Sequence, residues 1–123
     1  MGYVRVKGLI GDMKKKVIKS VMFLADTGVF YTTIPLELAK ELGIKPLAKA
    51  KLVLANKQEV EADISLAYIK ILDREGVFQV AIMDVPEPLL GVTTLEGLGI
   101  KVDSSTGKLE YSRPYGVALL YLL

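Results

Sequence analysis

The chain has 123 residues, 51% of them hydrophobic, and its 16 Lys and Arg residues against 14 Asp and Glu residues give a net charge of +2. This length predicts one domain over residues 1–123, and the apolar content is sufficient for a folded core. Cysteine and histidine are both absent. Their absence excludes disulfides, thiolate and Ser-His nucleophiles and the common zinc sites, so carboxylates and lysines supply the available chemistry.

The N-terminal segment lacks the basic start, apolar stretch and cleavage site of a secretory signal, which predicts a cytoplasmic protein. Every apolar run is interrupted before the roughly 18 residues that a membrane-spanning helix needs, so we expect no membrane contact. One asparagine, two glutamines and abundant Lys and Glu resemble the composition of heat-adapted proteins.

The first part of the chain predicts a β-hairpin followed by a short helix. Residues 3–10 alternate and are rich in β-branched side chains, and after a Gly-Asp break an apolar extended run resumes over residues 17–25. Pro35, at the first position of a helix, opens a predicted helix over Leu36–Leu42, and Gly43 ends it.

A second hairpin with a polar tip is predicted in the middle of the chain. Its arms are residues 51–55 and 60–72, and its turn is residues 56–58. Residues 73–76 then form a turn into a strand at residues 77–83, which β-branched side chains favour.

The last part of the chain predicts a short helix and more strands. The spacing of Thr93 and Glu96 fits a helix capping box. Residues 101–103 and Lys108–Tyr111 flank a hairpin turn, and the apolar residues 117–123 suit a final strand. These elements predict a mostly β fold, a small closed or partly open barrel with one or two short helices.

Residues 28–44 and 91–100 share a Gly-Val pair, a Thr-Thr pair, a Leu-Glu pair and a Leu-Gly-Ile end. This similarity favours two related halves within the domain. Chance resemblance between apolar segments is the other interpretation.

One carboxylate stands where an apolar strand runs into a glycine turn: Asp26, within the sequence Phe-Leu-Ala-Asp-Thr-Gly. A bare Asp-Thr-Gly usually marks only a turn. Here Ile34, Pro35 and a helix follow it, and Leu-Leu-Gly at residues 89–91 precedes the second helix. Asp26 is therefore the candidate for chemistry.

This order of motifs resembles the retropepsin-like aspartic proteases over almost the whole chain. The family has a hydrophobic-hydrophobic-Asp-Thr/Ser-Gly loop, matched by residues 24–28, a flap hairpin, matched around residues 55–59, and a later hydrophobic-hydrophobic-Gly, matched by residues 89–91. The resemblance implies an acid-protease barrel with one lobe per chain. Two departures are Val29, where the family usually has alanine, and a flap without glycine.

The resemblance also implies residue roles. Asp26 would be catalytic, with Thr27 and Gly28 supporting the active-site loop. The remaining candidates would contact substrate in the loop, the flap and the later motif: Val29, Ala55, Asn56, Lys57 and Leu90. The mechanism needs no cofactor and no metal.

Peptide hydrolysis by carboxylates requires one ionised group to accept a proton from water and one protonated group to act as the acid. One aspartate cannot do both, and this chain has a single Asp-Thr-Gly. The second carboxylate would therefore come from Asp26 of a symmetry mate, which predicts a homodimer. The apolar residues 3–6 and 117–122 could pair between chains or pack within the monomer.

The preferred hypothesis is an endopeptidase that cleaves extended, largely apolar peptide segments under mildly acidic conditions. A non-catalytic retropepsin-like module for dimerisation or peptide binding is the first alternative. A small basic β-barrel that binds nucleic acid is the second, suggested by Lys14, Lys15 and Lys16. Few aromatic residues are available for base stacking, so we expect no nucleic-acid partner.

Overall fold

The computed structural model describes residues 4–114. It contains nine strands and two helices within that range. In chain order these are β1 (Val4–Gly11), β2 (Ile18–Ala25), β3 (Thr32–Pro35), α1 (Leu36–Leu42), β4 (Ala48–Val53), β5 (Glu59–Ile71), β6 (Arg74–Met83), β7 (Leu89–Leu90), α2 (Val92–Leu98), β8 (Ile100–Asp103) and β9 (Lys108–Tyr111).

Seven strands form one mixed sheet in the order β1-β2-β7-β3-β6-β5-β4, and β8 and β9 form a separate two-stranded sheet. The sheet curls on itself because β1 pairs with both β2 and β5. The mostly β fold predicted from sequence is confirmed, and its form is compatible with a partly open barrel.

The core follows from the alternation of side chains along the strands. In β1, Val4, Val6 and Ile10 are buried whereas Arg5 and Lys7 are exposed, because successive side chains of a strand point to opposite faces. The inward faces of the strands and one face of each helix combine into a single cluster of apolar residues. This cluster fixes the positions of the strand ends at which the loops begin.

Both predicted helices are present, and α1 has its predicted bounds, Leu36–Leu42. Pro35 is the N-cap, extended at ψ 150°, and it also ends β3 as the partner of Met83, so its assignment to the first helical position was wrong. The capping box of Thr93 and Glu96 was also wrong, because α2 starts after Gly91 and no side chain caps it. Neither helix in residues 4–114 is long and apolar enough to cross a membrane.

The turn between β5 and β6 is shorter than predicted. It consists of Leu72 and Asp73, and Leu72 adopts a left-handed φ of 58°. Strand β6 therefore begins at Arg74 and not at residue 77. Arg74 is only 5% exposed, and its Nη1 donates to the carbonyls of Leu98 and Gly99, each at 3.0 Å. Strands β3 and β7 were not predicted, and the strand predicted over residues 117–123 lies outside the described residues.

The two similar segments end their helices in the same way. Gly43 after α1 and Gly99 after α2 both have left-handed φ values, 71° and 70°, and each is followed by a buried isoleucine, Ile44 and Ile100. Glycine is favoured at this position because a Cβ disfavours the left-handed conformation. The two segments thus share the helix ending that their common Leu-Gly-Ile sequence specifies.

We expect Tyr111→Phe to lower stability more at neutral pH than at acidic pH. The Tyr111 hydroxyl donates to Asp73 Oδ1 at 2.5 Å and, as the largest cause, holds the pKa of that carboxyl below its ordinary value. A carboxyl with a lowered folded-state pKa stabilises the fold above about pH 4 and loses that contribution as pH falls. Phenylalanine retains the ring that lies 4.0 Å from the Arg74 guanidinium.

The measurement is urea unfolding of the wild type and the variant at pH 7 and at pH 3, with the Asp73 carboxyl titration followed by NMR. The difference in urea midpoint should be smaller at pH 3 than at pH 7, and the pKa of Asp73 should rise towards its ordinary value. An equal difference at both pH values would show that the ionised Asp73 carboxylate is not responsible.

Candidate active site

Asp26 directly follows the last residue of β2, and its carboxylate faces away from the core. Phe23 and Ala25 are buried at 0% and 3% exposure, whereas Leu24 and Asp26 are half-buried. This is the alternation that a strand imposes. Phe23, Ala25 and, in part, Val21 thus bury one face of β2 and leave the aspartate accessible on the other.

Three hydrogen bonds fix Asp26 in its loop. The Gly28 N–H donates to Asp26 Oδ1 at 2.9 Å, and the Val29 N–H donates to the Asp26 carbonyl at 3.1 Å. The Asp26 N–H in turn donates to the Leu90 carbonyl at 3.1 Å. The loop is therefore a tight turn that orients the carboxylate through the backbone of its own next residues.

The later Leu-Leu-Gly segment lies beside this loop. Strand β7 runs parallel to β2, with Leu89 opposite Leu24 and Leu90 opposite Ala25. The hydrogen bonding between the two segments continues into α2, where the Val92 N–H donates to the Val29 carbonyl at 2.8 Å. The structure thus brings together the two motifs that the sequence singled out.

Gly91 permits a close approach of two backbones at this junction. A Cβ built on it would lie 2.5 Å from the Tyr31 carbonyl carbon and 2.7 Å from the Thr32 nitrogen, far inside van der Waals contact. Only glycine fits here, because the obstructing atoms are backbone atoms that cannot rotate away.

The candidate residues in the loop and in the later Leu-Leu-Gly motif differ in exposure. Thr27 and Gly28 are exposed and Val29 is half-buried. Leu90, by contrast, is 0% exposed. Its side chain belongs to the core and not to an open pocket, so the structure corrects that prediction and leaves Leu90 a backbone role, as acceptor of the Asp26 N–H.

Sequence reasoning missed Phe30, the exposed apolar residue beside the loop. Its side chain is 63% exposed, and its ring meets that of Tyr31 edge to face with centroids 4.9 Å apart. Both the N–H and the hydroxyl of Thr93 donate to the Phe30 carbonyl at 3.0 Å. The two aromatic residues that follow the Asp-Thr-Gly-Val segment were the available signal.

The predicted flap is the β4–β5 hairpin, and its tip holds Ala55, Asn56 and Lys57 on the surface. The Lys57 N–H donates to the Leu54 carbonyl at 2.9 Å. Lys57 has a left-handed φ of 67°, the conformation that a glycine would adopt more readily. The Asn56 side chain accepts the Gln58 N–H at 3.0 Å, which fixes the turn in place of a glycine.

No hydrogen bond or ion pair joins the flap tip to the Asp26 loop within residues 4–114.

Asp12 and Asp103 accept hydrogen bonds within surface turns. The Val17 N–H, donating to Asp12 at 2.8 Å, holds the pKa of Asp12 below its ordinary value. The Ser105 hydroxyl, at 2.6 Å, lowers the pKa of Asp103. Among the described residues no group of three or more carboxylates is placed to hold a metal ion.

The fold and the loop define a class, the single-lobed acid proteases. A family model described as aspartyl protease matches residues 4–94 of this chain, so the chain belongs to the aspartyl protease family. Among solved structures, the EIAV protease complexed with the inhibitor HBY-793 has a similar fold. Its TM-score is 0.64 and its identity 21%, over 82% of this chain and 92% of that one. The search of curated proteins gave no match.

We expect Gly91→Ala to reduce the free energy of unfolding by about 3 kcal/mol, because its Cβ would force apart the backbones at the loop junction. Gly28→Ala is the matched control. A Cβ at Gly28 would meet only Asp26 Oδ1, at 3.2 Å, so its cost should stay within about 1 kcal/mol. Urea unfolding measures both, and equal costs would show that the close approach at Gly91 is relaxed in solution.

Proposed function

We propose that this protein is an aspartic endopeptidase whose active site forms between two copies of the chain, each supplying Asp26. Water attacks the peptide bond while one Asp26 carboxylate accepts its proton and the other, protonated, acts as the acid. The observation that carries the proposal is the fixed, accessible Asp26 carboxylate in a chain of the aspartyl protease family with a single Asp-Thr-Gly.

The requirement for two copies follows from the chemistry. A base and an acid are needed in the same step, and two adjacent carboxylates cannot readily both ionise, so a close pair holds one proton between them. Thr27 and Gly28 are exposed next to Asp26, which leaves this side of the loop free for a second chain. Thr27 would then support the paired loops across the two-fold axis.

Extended apolar peptides are the proposed substrates. Phe30 at 63% exposure and Val53 in β4 at 69% are large apolar side chains in the loop and in the flap hairpin. Val29, Ala55, Asn56 and Lys57 would add contacts to the substrate from the same two segments. The fold shared with a protease solved in complex with an inhibitor supports a ligand cleft between loop and flap. The proposed location is the cytoplasm.

We expect Asp26→Asn to reduce cleavage of denatured casein at mildly acidic pH by about a thousandfold, since an amide can serve as neither acid nor base. Mixing wild-type chains with excess Asp26→Asn chains should reduce activity below simple dilution, because mixed dimers would contain one carboxylate. Asp63→Asn is the matched control, as Asp63 is also a half-buried aspartate.

Unchanged cleavage by Asp26→Asn would refute the catalytic assignment. A strictly monomeric wild type in sedimentation at micromolar concentration would refute the shared site. A dimer that binds extended peptides but cleaves none under any condition would identify a non-catalytic binding module.

A second prediction concerns substrate preference. Phe30→Ala should raise KM for fluorogenic peptides with large apolar side chains about tenfold, since burying much of a phenyl ring contributes about 1.4 kcal/mol, while kcat should change little. Leu36→Ala is the control, because Leu36 is 47% exposed on α1. Equal effects of the two variants, or an equal loss on polar peptides, would contradict the role of Phe30.

A further inference from the structure

The peptide unit between Leu90 and Gly91 has both of its polar ends engaged. Its carbonyl oxygen accepts the Asp26 N–H at 3.1 Å, and its N–H donates to Thr32 Oγ1 at 3.0 Å. A peptide unit is planar and rigid. A rotation of this plane about the chain would therefore move the acceptor of Asp26 and the donor to Thr32 together.

The Thr32 hydroxyl is itself held by a second hydroxyl. Thr32 Oγ1 and Thr94 Oγ1 are 2.6 Å apart, and both residues are 0% exposed. A hydroxyl that accepts the Gly91 N–H can donate its own hydrogen to Thr94. Such a buried chain of hydrogen bonds has no water to replace a lost partner, so the loss of one hydroxyl leaves a buried group unsatisfied.

The Gly91 N–H donates to a side-chain hydroxyl, that of Thr32, and not to a carbonyl of the neighbouring strand. Strand β7 pairs with β3 through the single pair Leu89 and Thr33, so the ladder ends before Gly91. The side chain of Thr32 replaces the missing carbonyl. This explains why Thr32 carries a hydroxyl at a fully buried position.

We infer that Thr32 is a positioning residue for the Asp26 carboxylate, acting through the plane of the Leu90–Gly91 peptide, and that Thr94 orients the Thr32 hydroxyl. Thr32 does not touch substrate in this arrangement. It fixes the peptide that holds the Asp26 backbone, and the Asp26 side chain follows its backbone. The kinetic consequence rests on the proposed function, whereas the structural consequence does not.

The test compares isosteric and conservative variants. Thr32→Val should lower kcat on denatured casein about tenfold, because a misplacement of about an ångström is costly in a catalytic site. KM should stay within about threefold, since no substrate contact is lost. Thr32→Ser retains the hydroxyl and should restore kcat. Thr94→Val should lower kcat less, and its effect should not add to that of Thr32→Val.

Thr33→Val is the matched control. Thr33 is the next residue in β3, is 4% exposed, and donates locally to the Tyr31 carbonyl at 3.1 Å. It should lose comparable stability and retain kcat. If Thr32→Val keeps kcat well below its melting temperature, or Thr33→Val loses as much, the inference is wrong.

Amide hydrogen exchange tests the same inference without measuring catalytic activity. In Thr32→Val, exchange at Asp26 and Gly91 should accelerate at least about tenfold relative to the core amides, whereas Thr33→Val should leave both unchanged. Unchanged exchange at Asp26 overturns the inference even in an active protein. Accelerated exchange in a protein that cleaves nothing supports the positioning and counts only against the proposed function. If Thr32→Val does not fold, exchange at Asp26 and Gly91 is compared between Thr94→Val and Thr33→Val instead.

Discussion

The hydrogen bond from the Asp26 N–H to the Leu90 carbonyl is the constraint on which the rest of the site depends. It belongs to a parallel pairing of β2 with β7, and parallel strands cannot be joined by a tight turn. All the structure between them, from β3 to β6, must therefore return the chain to the same place. The position of the aspartate is thus a property of the whole fold and not of its own loop.

Hydrophobic burial supplies the free energy that maintains this pairing. Strand β7 is only two residues long and lies between β2 and β3, so its few backbone hydrogen bonds could not hold it alone. Phe23 and Leu90 are both fully buried in the same apolar cluster, and each contributes about 1.5–3 kcal/mol on burial. The Asp26 loop stays at the surface because the residues beside it, Ala25 in β2 and Leu90 in β7, are anchored in the core.

The sequence predicted the parts of the fold that repeat or that need special residues. Alternation identified β1, an apolar extended run identified β2, and Gly43 ended α1 as expected. Two residues cannot show a periodicity, so β7 was missed and Leu90 was read as a pocket residue. Arg74 was read as part of a polar turn, because a sequence does not show that carbonyls of α2 will receive its guanidinium. Thr32 stood out only as part of the repeated Thr-Thr pair, and its role was missed because its hydrogen-bond partners lie on distant segments.

Helix α2 connects the two ends of this arrangement. Its first turn is bonded to the active-site loop through the Val29 and Phe30 carbonyls, and its last carbonyls accept hydrogen bonds from Arg74 and from Arg113. Cations at a helix C-terminus interact favourably with the partial negative charge there, which offsets part of the cost of burying Arg74. Because both ends of so short a helix are fixed by side chains or loops outside it, α2 cannot shift along its axis without breaking bonds at one end. The position of the Asp26 loop is thereby coupled to the β5–β6 turn on the far side of the helix.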